Sequence, residues 1–391
     1  MAKKGKHTAP APEAQEGKSK SLLQRLRVLL IVAVAALAVA SLTAMEDGVR
    51  FASLRRWLMY GESSSTQDFH VYASDSGNRY GQLGTGLLVA SPNNIQFFRD
   101  SGSAAYEIPV KMKNPQMSVG QRQAAVCDVG GDSLYLLDPM GTRRKMSTER
   151  GLCYYSARLS GSDYLAVTEQ KNGYKAAVSV YNASGEPVFH FDSYDNYISD
   201  AIVTSDSRSV VAVSLESQYG VFASKLLVYD LESAQLTGSR IIQDGLVMDF
   251  SCNNNRMICL CDKRFVIATL DGQMLLDRPY GNLYLHDYAL DGDGFCALLL
   301  GRYQSGNICT LTTFDVDGAE LARLELTEEV LDISAAGEYL AVLYDDALVI
   351  YTRDLQEHAR LEDTQYAGQI QMRADGTALM ISGASAWRYL P

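Results

Sequence analysis

Histidine occurs only five times in this chain of 391 residues, tryptophan only twice, and Lys plus Arg number 35 against 46 Asp plus Glu. Each shortage removes a class of function. A net charge of -11 leaves no basic surface for phosphate contacts, which excludes a nucleic-acid binder. The histidines, His7, His70, His190, His286 and His358, form no His-x-Glu or His-Glu-x-x-His pair of the kind that holds zinc. Neither a Gly-x-Ser-x-Gly elbow nor a phosphate-cradling glycine loop occurs, and Gly84-Thr-Gly86 reads as a tight turn between strands. No pattern calls for a cofactor or a resident metal. What is abundant is apolar: 47% of residues are hydrophobic, which excludes disorder for the bulk of the chain.

Charge is distributed unevenly. Residues 1–27 carry seven Lys/Arg and two Asp/Glu, and Val28 to Met45 carries no charge over 18 residues. As a helix that run rises about 27 Å, close to the thickness of a bilayer's hydrocarbon core. A single membrane-spanning helix within residues 21–45 is therefore expected, with the lipid bilayer as a partner. The basic flank stays inside, so residues 1–20 read as a disordered cytoplasmic tail and the rest lies outside. Cleavage after Ala38-Val39-Ala40, as in a signal peptide, is the alternative, and it too delivers the large domain beyond the membrane. Phe51, Leu54 and Leu58 suggest a short amphipathic helix, and Gly61 to Thr66 a polar linker, so residues 46–67 read as a juxtamembrane connection.

From residue 68 to 391 short apolar runs alternate with Gly, Asp, Asn and Ser turns, the pattern of an all-β domain. One unit recurs, an apolar strand ending in Asp or Asn and often Gly. It appears in Leu134-Tyr-Leu-Leu-Asp-Pro-Met-Gly141, Val178-Ser-Val-Tyr-Asn-Ala-Ser-Gly185 and Leu311-Thr-Thr-Phe-Asp-Val-Asp-Gly318. The turn residues Asp100, Asp138, Asn182, Asp230, Asp271 and Asp315 are 38, 44, 48, 41 and 44 residues apart. With looser copies at Leu348–Tyr351 and Ala386–Tyr389, this predicts a β-propeller of eight four-stranded blades, seven if one terminal unit is not a blade. A β-sandwich would not explain the constant spacing. Phe69-His-Val-Tyr-Ala73 is expected to complete the last blade and close the ring.

Aligning the first strand of each unit places Gln82, Gln116, Ser156, Asp200, Asp249, Asp287, Asp332 and Gln371 at one position. First strands line the channel of a propeller. Asp200, Asp249, Asp287 and Asp332 are thus the candidate ligand-binding residues. They would either accept N–H groups from neighbouring blades or hold a cation or basic ligand. His286 reads as a structural, hydrogen-bonded histidine. Tyr194-Asp-Asn-Tyr197 reads as packing and turn residues, with surface recognition as the alternative.

The basic leader, the apolar span, the segment Leu54-Arg-Arg-Trp-Leu58, the turn through Asn114-Pro115 and the run Val126-Cys-Asp-Val-Gly-Gly131 together resemble a known bacterial type. It is a Gram-positive family of single-pass, membrane-anchored, propeller-like proteins without an assigned function. The resemblance implies a fold and an orientation and transfers no catalytic or binding residue. The blades are broadly similar to those of quinoprotein and WD40 propellers, without the repeated Trp docking motif of the first or the Trp-Asp dipeptide of the second.

Seven cysteines, Cys127, Cys153, Cys252, Cys259, Cys261, Cys296 and Cys309, cannot all pair within one chain, and their spacing suggests free, buried thiols. Cys259 and Cys261 should share a face, and Cys296 and Cys309 should be cross-strand neighbours. With no nucleophile, metal site or acid–base pair in evidence, the expectation is a non-catalytic binding or scaffolding domain at the cell envelope, its partner an envelope protein or wall polymer. An enzyme acting on glycans through the channel carboxylates, or a small-molecule sensor, is the alternative.

Overall fold

The computed structural model describes residues 65–72, 77–218, 220–364 and 366–391. The apolar span at residues 28–45, its basic leader and the connection that follows as far as residue 64 lie outside the described residues. No helix among the described residues is long and apolar enough to cross a membrane.

The strands form eight four-stranded antiparallel sheets. Seven follow chain order and are numbered here as blades: I (residues 79–109), II (115–147), III (154–193), IV (197–242), V (247–279), VI (284–326) and VII (330–362). Blade VIII combines three strands from residues 369–390 with Ser65–Val71, which pairs antiparallel to Ser385–Leu390. The expected closing strand is therefore present, beginning at Ser65 rather than Phe69.

Position within a blade sets composition. Second strands are covered on both faces and carry unbroken apolar runs, as in Phe295–Gly301 and Tyr339–Tyr344, where every residue is buried. Outer strands face water and alternate or turn polar, as in Gly141–Ser147 and Glu320–Leu326. No sheet can bury both faces alone, so the core is split among the seams between blades. Val211, Val213, Leu226 and Val228 of blade IV, for example, pack on Met257, Cys259, Cys261 and Val266 of blade V.

The repeated unit is the third strand with its turn into the outer strand. Asp138 Oδ1 accepts from the N–H groups of Met140 and Gly141, Asn182 Oδ1 from Ser184 and Glu186, and Asp315 Oδ1 from Asp317 and Ala319. This is why Asp or Asn recurs there: a short side-chain acceptor takes up turn N–H groups that the backbone carbonyls leave free.

The seal between the chain's two ends has its own chemistry. Tyr72 donates its hydroxyl to the carbonyls of Ser382 (2.7 Å) and Ser385 (3.0 Å). Arg388, 1% exposed at its side chain, pairs with Asp100 of blade I. Gln371 Nε2 donates to Tyr80 O at 2.8 Å, joining blade VIII to blade I on the inner side.

All seven cysteines are free. Cys259 and Cys261 do share the face toward blade IV. Cys296 and Cys309 are not neighbours: Cys296 lies opposite Phe314 and Cys309 opposite Gly301, at the two ends of one hairpin. The register runs without a shift from Phe295↔Asp315 to Gly301↔Cys309, so Cys296 lies five places along its strand from the residue that faces Cys309. Burial pushes the thiols of Cys127, Cys261 and Cys296 up to about 12, so they behave as small apolar side chains.

Candidate functional site

All eight aligned positions fall on first strands, and backbone geometry separates them into two kinds. Where the position holds Ser156, Asp200, Asp249, Asp287 or Asp332, the pairing with the second strand slips by one residue immediately before it. Where it holds Gln82, Gln116 or Gln371, the ladder is regular. A bulge releases a backbone N–H from the ladder, and a short carboxylate at the bulge can take it up. Asp200, Asp249 and Asp287 do so, each accepting from the following residue at 2.9, 2.8 and 2.8 Å.

The remaining carboxylate oxygens bridge blades. Asp287 Oδ2 accepts from Ile333 N of blade VII (2.9 Å), and Asp332 Oδ2 from Ile370 N of blade VIII (2.7 Å). Asp200 and Asp249 instead meet on one cation. Arg158, from the first strand of blade III, donates Nη1 to Asp200 at 3.0 Å and to Asp249 at 2.8 Å, and Nη2 to the carbonyl of Phe250 at 2.8 Å. Tyr288 donates its hydroxyl to the other oxygen of Asp249 at 3.2 Å. One arginine thus fastens blades III, IV and V across the hub. The four candidate aspartates do not converge: two surround Arg158, and two are tied to successive blade seams.

Arg158, Asp200, Asp249, Tyr288 and Asp291 line a hub cavity of about 620 Å³. Its electrostatics follow from crowding by protein. Burial opposes the charge on Arg158, but Asp200 and Asp249 outweigh it and hold the guanidinium above its ordinary range. Burial raises the carboxyl of Asp200 despite Arg158. Asp291 is solvent-accessible within the channel yet walled in, and burial followed by the nearby Asp249 charge raises it. Asp287 is raised by burial, and Asp332 is pushed up to about 7 by burial, with Asp287 adding to it. Among the described residues no three His, Cys, Asp or Glu side chains are grouped to hold a metal ion.

A family model matches residues 60–364. The chain belongs to DUF5711, a family of unknown function. No curated protein matches this DUF5711 sequence. Many solved chains match its fold. BamB from Moraxella catarrhalis is similar at 12% identity, with a TM-score of 0.52, over 83% of this chain and 100% of its own. The computationally designed Ika8 protein aligns at 10% identity and a TM-score of 0.58, over 83% and 100%. The C-terminal WD40 domain of Sif2 aligns at 13% and 0.56, over 84% and 98%. At these identities the likeness is one of fold.

The structure of this DUF5711 propeller also brings together residues that spacing did not single out. Arg158 is the first, since its partners lie 42 and 91 residues away. A second group sits outside, on blade III. Ser179 Oγ lies 2.9 Å from His190 Nδ1, His190 Nε2 lies 2.8 Å from Asp192, and Lys171 Nζ reaches both oxygens of Asp192 at 2.7 and 2.8 Å. The Ser–His–Asp order matches that of a hydrolase relay, but Lys171 Nζ also stands 3.3 Å from His190 Nε2. An ammonium there opposes the imidazolium that a general base must become, so the group is a surface polar network.

His286 donates Nε2–H to the carbonyl of Tyr303 at 2.8 Å, the structural role expected of it. Tyr194 and Tyr197 do not pack inward. They are 72% and 52% exposed, Tyr174 stands edge-on to Tyr194, and Lys175 lies over the ring of Tyr197. The packing expected of them is therefore not what the structure shows.

Proposed function

We propose that this protein is a non-catalytic binding or scaffolding propeller, tethered by residues 28–45 to the cell membrane and displayed outside the cell at the envelope. The observation that carries the non-catalytic reading is the use made of the hub carboxylates. Asp200 and Asp249 are committed to Arg158, and Asp287 and Asp332 to backbone N–H groups of the next blade. Groups held this way stiffen a ring and leave its loop-bearing faces to meet a partner. The tether and its orientation rest on the uncharged run and the basic leader. In-cell crosslinking of the full chain should recover an envelope protein or wall polymer, and repeated recovery of neither would refute the reading. A phosphatase fused after Pro391 should be active only if that end is exported, and an inactive fusion overturns the placement.

A glycan-cleaving enzyme is the second reading, and one observation favours it. The carboxyl of Asp332, at about 7, has the protonation behaviour of a general acid. Turnover of wall-derived sugars that disappears in Asp332→Asn would establish it.

A further inference from the structure

A cavity of about 590 Å³ opens between blades IV and V, away from the hub. Its walls include Arg240 and Ile242 from the outer strand of blade IV, and Arg264, Met274 and Asp277 from blade V. Strand register fixes how the two arginines face each other. Arg240 lies opposite Leu226, and both Leu226 and Ile242 belong to the apolar seam shared with blade V. Arg240 therefore projects into that seam. Arg264 shares its face with Val266 and Ala268, which enter the same seam from blade V.

The charges in this cavity do not balance. Arg264 Nη1 reaches both oxygens of Asp277, at 3.1 and 2.9 Å, and Lys225 on the rim stands 3.8 Å from Glu216. Arg240 makes no side-chain hydrogen bond or ion pair with any described residue, and the Nε atoms of both arginines are buried without a partner. A guanidinium is costly to enclose unless something accepts its hydrogen bonds, and its planar fork matches the oxygens of a phosphate or carboxylate. The surplus is one positive charge and two unused N–H donors on opposite walls.

We infer that the seam between blades IV and V is a binding site for a singly charged oxyanion, a phosphodiester or a carboxylate, carried on a larger polar molecule. The size follows from the volume, which far exceeds the space one bare ion needs. Arg240 contributes the uncompensated charge, Arg264 a second donor, and Met274 an apolar wall. The inference goes beyond the scaffolding reading and does not depend on the hub or on where the protein resides.

The test is titration of the purified full-length chain at low salt with three probes: glycerophosphoglycerol, galacturonate and neutral galactose. One or both anionic probes should bind by calorimetry, while galactose should not, and the two arms separate a phosphodiester source from a carboxylate source. Arg240→Gln should weaken the binding by about tenfold or more, the loss expected for a charge-assisted hydrogen bond. Arg240→Met should also abolish binding and, without ligand, raise the unfolding midpoint, because it removes a half-buried cation whose Nε is covered without an acceptor. Equal binding by Arg240→Gln, or no binding of either anion to the wild-type chain, overturns the proposal. Failure of both variants to fold overturns it as well, since Arg240 would then have a structural partner.

Discussion

Replacing Asp332 by Asn removes a charge from the hub and leaves an oxygen that can still accept the Ile370 N–H, 2.7 Å away in the wild-type chain. The carboxyl titrates at about 7 in the folded protein against 3.8 for an unperturbed Asp. The folded state therefore holds its proton more tightly than the unfolded state does. The contribution of this group to stability is greatest below pH 4, falls as pH rises through the interval up to about 7, and levels off above it. About three pH units at about 1.4 kcal/mol each set an upper bound of about 4 kcal/mol for the loss. Urea unfolding of both proteins at pH 5 and pH 8.5 reads out Asp332 together with its coupling to Asp287, because Asp200 and Asp291 titrate in both. The stability of Asp332→Asn relative to wild type should rise by about 2–4 kcal/mol between the two pH values. A difference that does not change with pH would refute the assignment of a buried, charge-disfavoured carboxyl at this position.

Arg158→Met should destabilise the ring by about 2–4 kcal/mol at pH 8, since Asp200 and Asp249 lose their shared counter-charge, and the loss should shrink at pH 5 as Asp200, whose carboxyl is raised by burial, takes up a proton. Equal losses at both pH values in unfolding curves would contradict the electrostatic role. Thiol labelling of the native chain at pH 8, read by mass spectrometry, should leave Cys127, Cys261 and Cys296 unmodified until denaturant is added; fast modification of any of them would show that its seam opens. Deleting residues 65–72 should expose the edge of Ser385–Leu390, lower the unfolding midpoint and produce oligomers on size exclusion; a monomer of unchanged midpoint would show that the seal is dispensable.

The repeat was legible because one local need recurs. Several third-strand turns use a short carboxylate or amide acceptor, so Asp138, Asn182 and Asp315 stand at corresponding points of their units. The hub position was legible for a related reason: a bulge selects Asp or Ser, and a regular ladder accommodates Gln. What spacing could not convey was which carboxylates meet. Asp200 and Asp249 look the same as Asp287 and Asp332 in sequence, and only the reach of Arg158 across two blades divides them into pairs. Arg240 was equally silent, being one charged residue on an outer strand of mixed Leu, Thr, Gly, Ser and Ile residues, with its meaning set by the opposite blade. The Cys296–Cys309 expectation fails because the two thiols lie at unequal distances from the connection, Cys309 beside it and Cys296 five places beyond the residue opposite Cys309.

Most contacts that build each blade join residues close in the chain, yet the Tyr72 hydroxyl and the Ser382 carbonyl are separated by 310 positions. Hairpins can form as the polypeptide emerges, but the circle stays open until its final strand is available. An unfinished chain would therefore present a row of unsatisfied amides at each lip of the gap, poised to capture the wrong neighbour. Delivery of the last few residues acts as the latch, and a folding helper would be needed most in the interval just before it shuts.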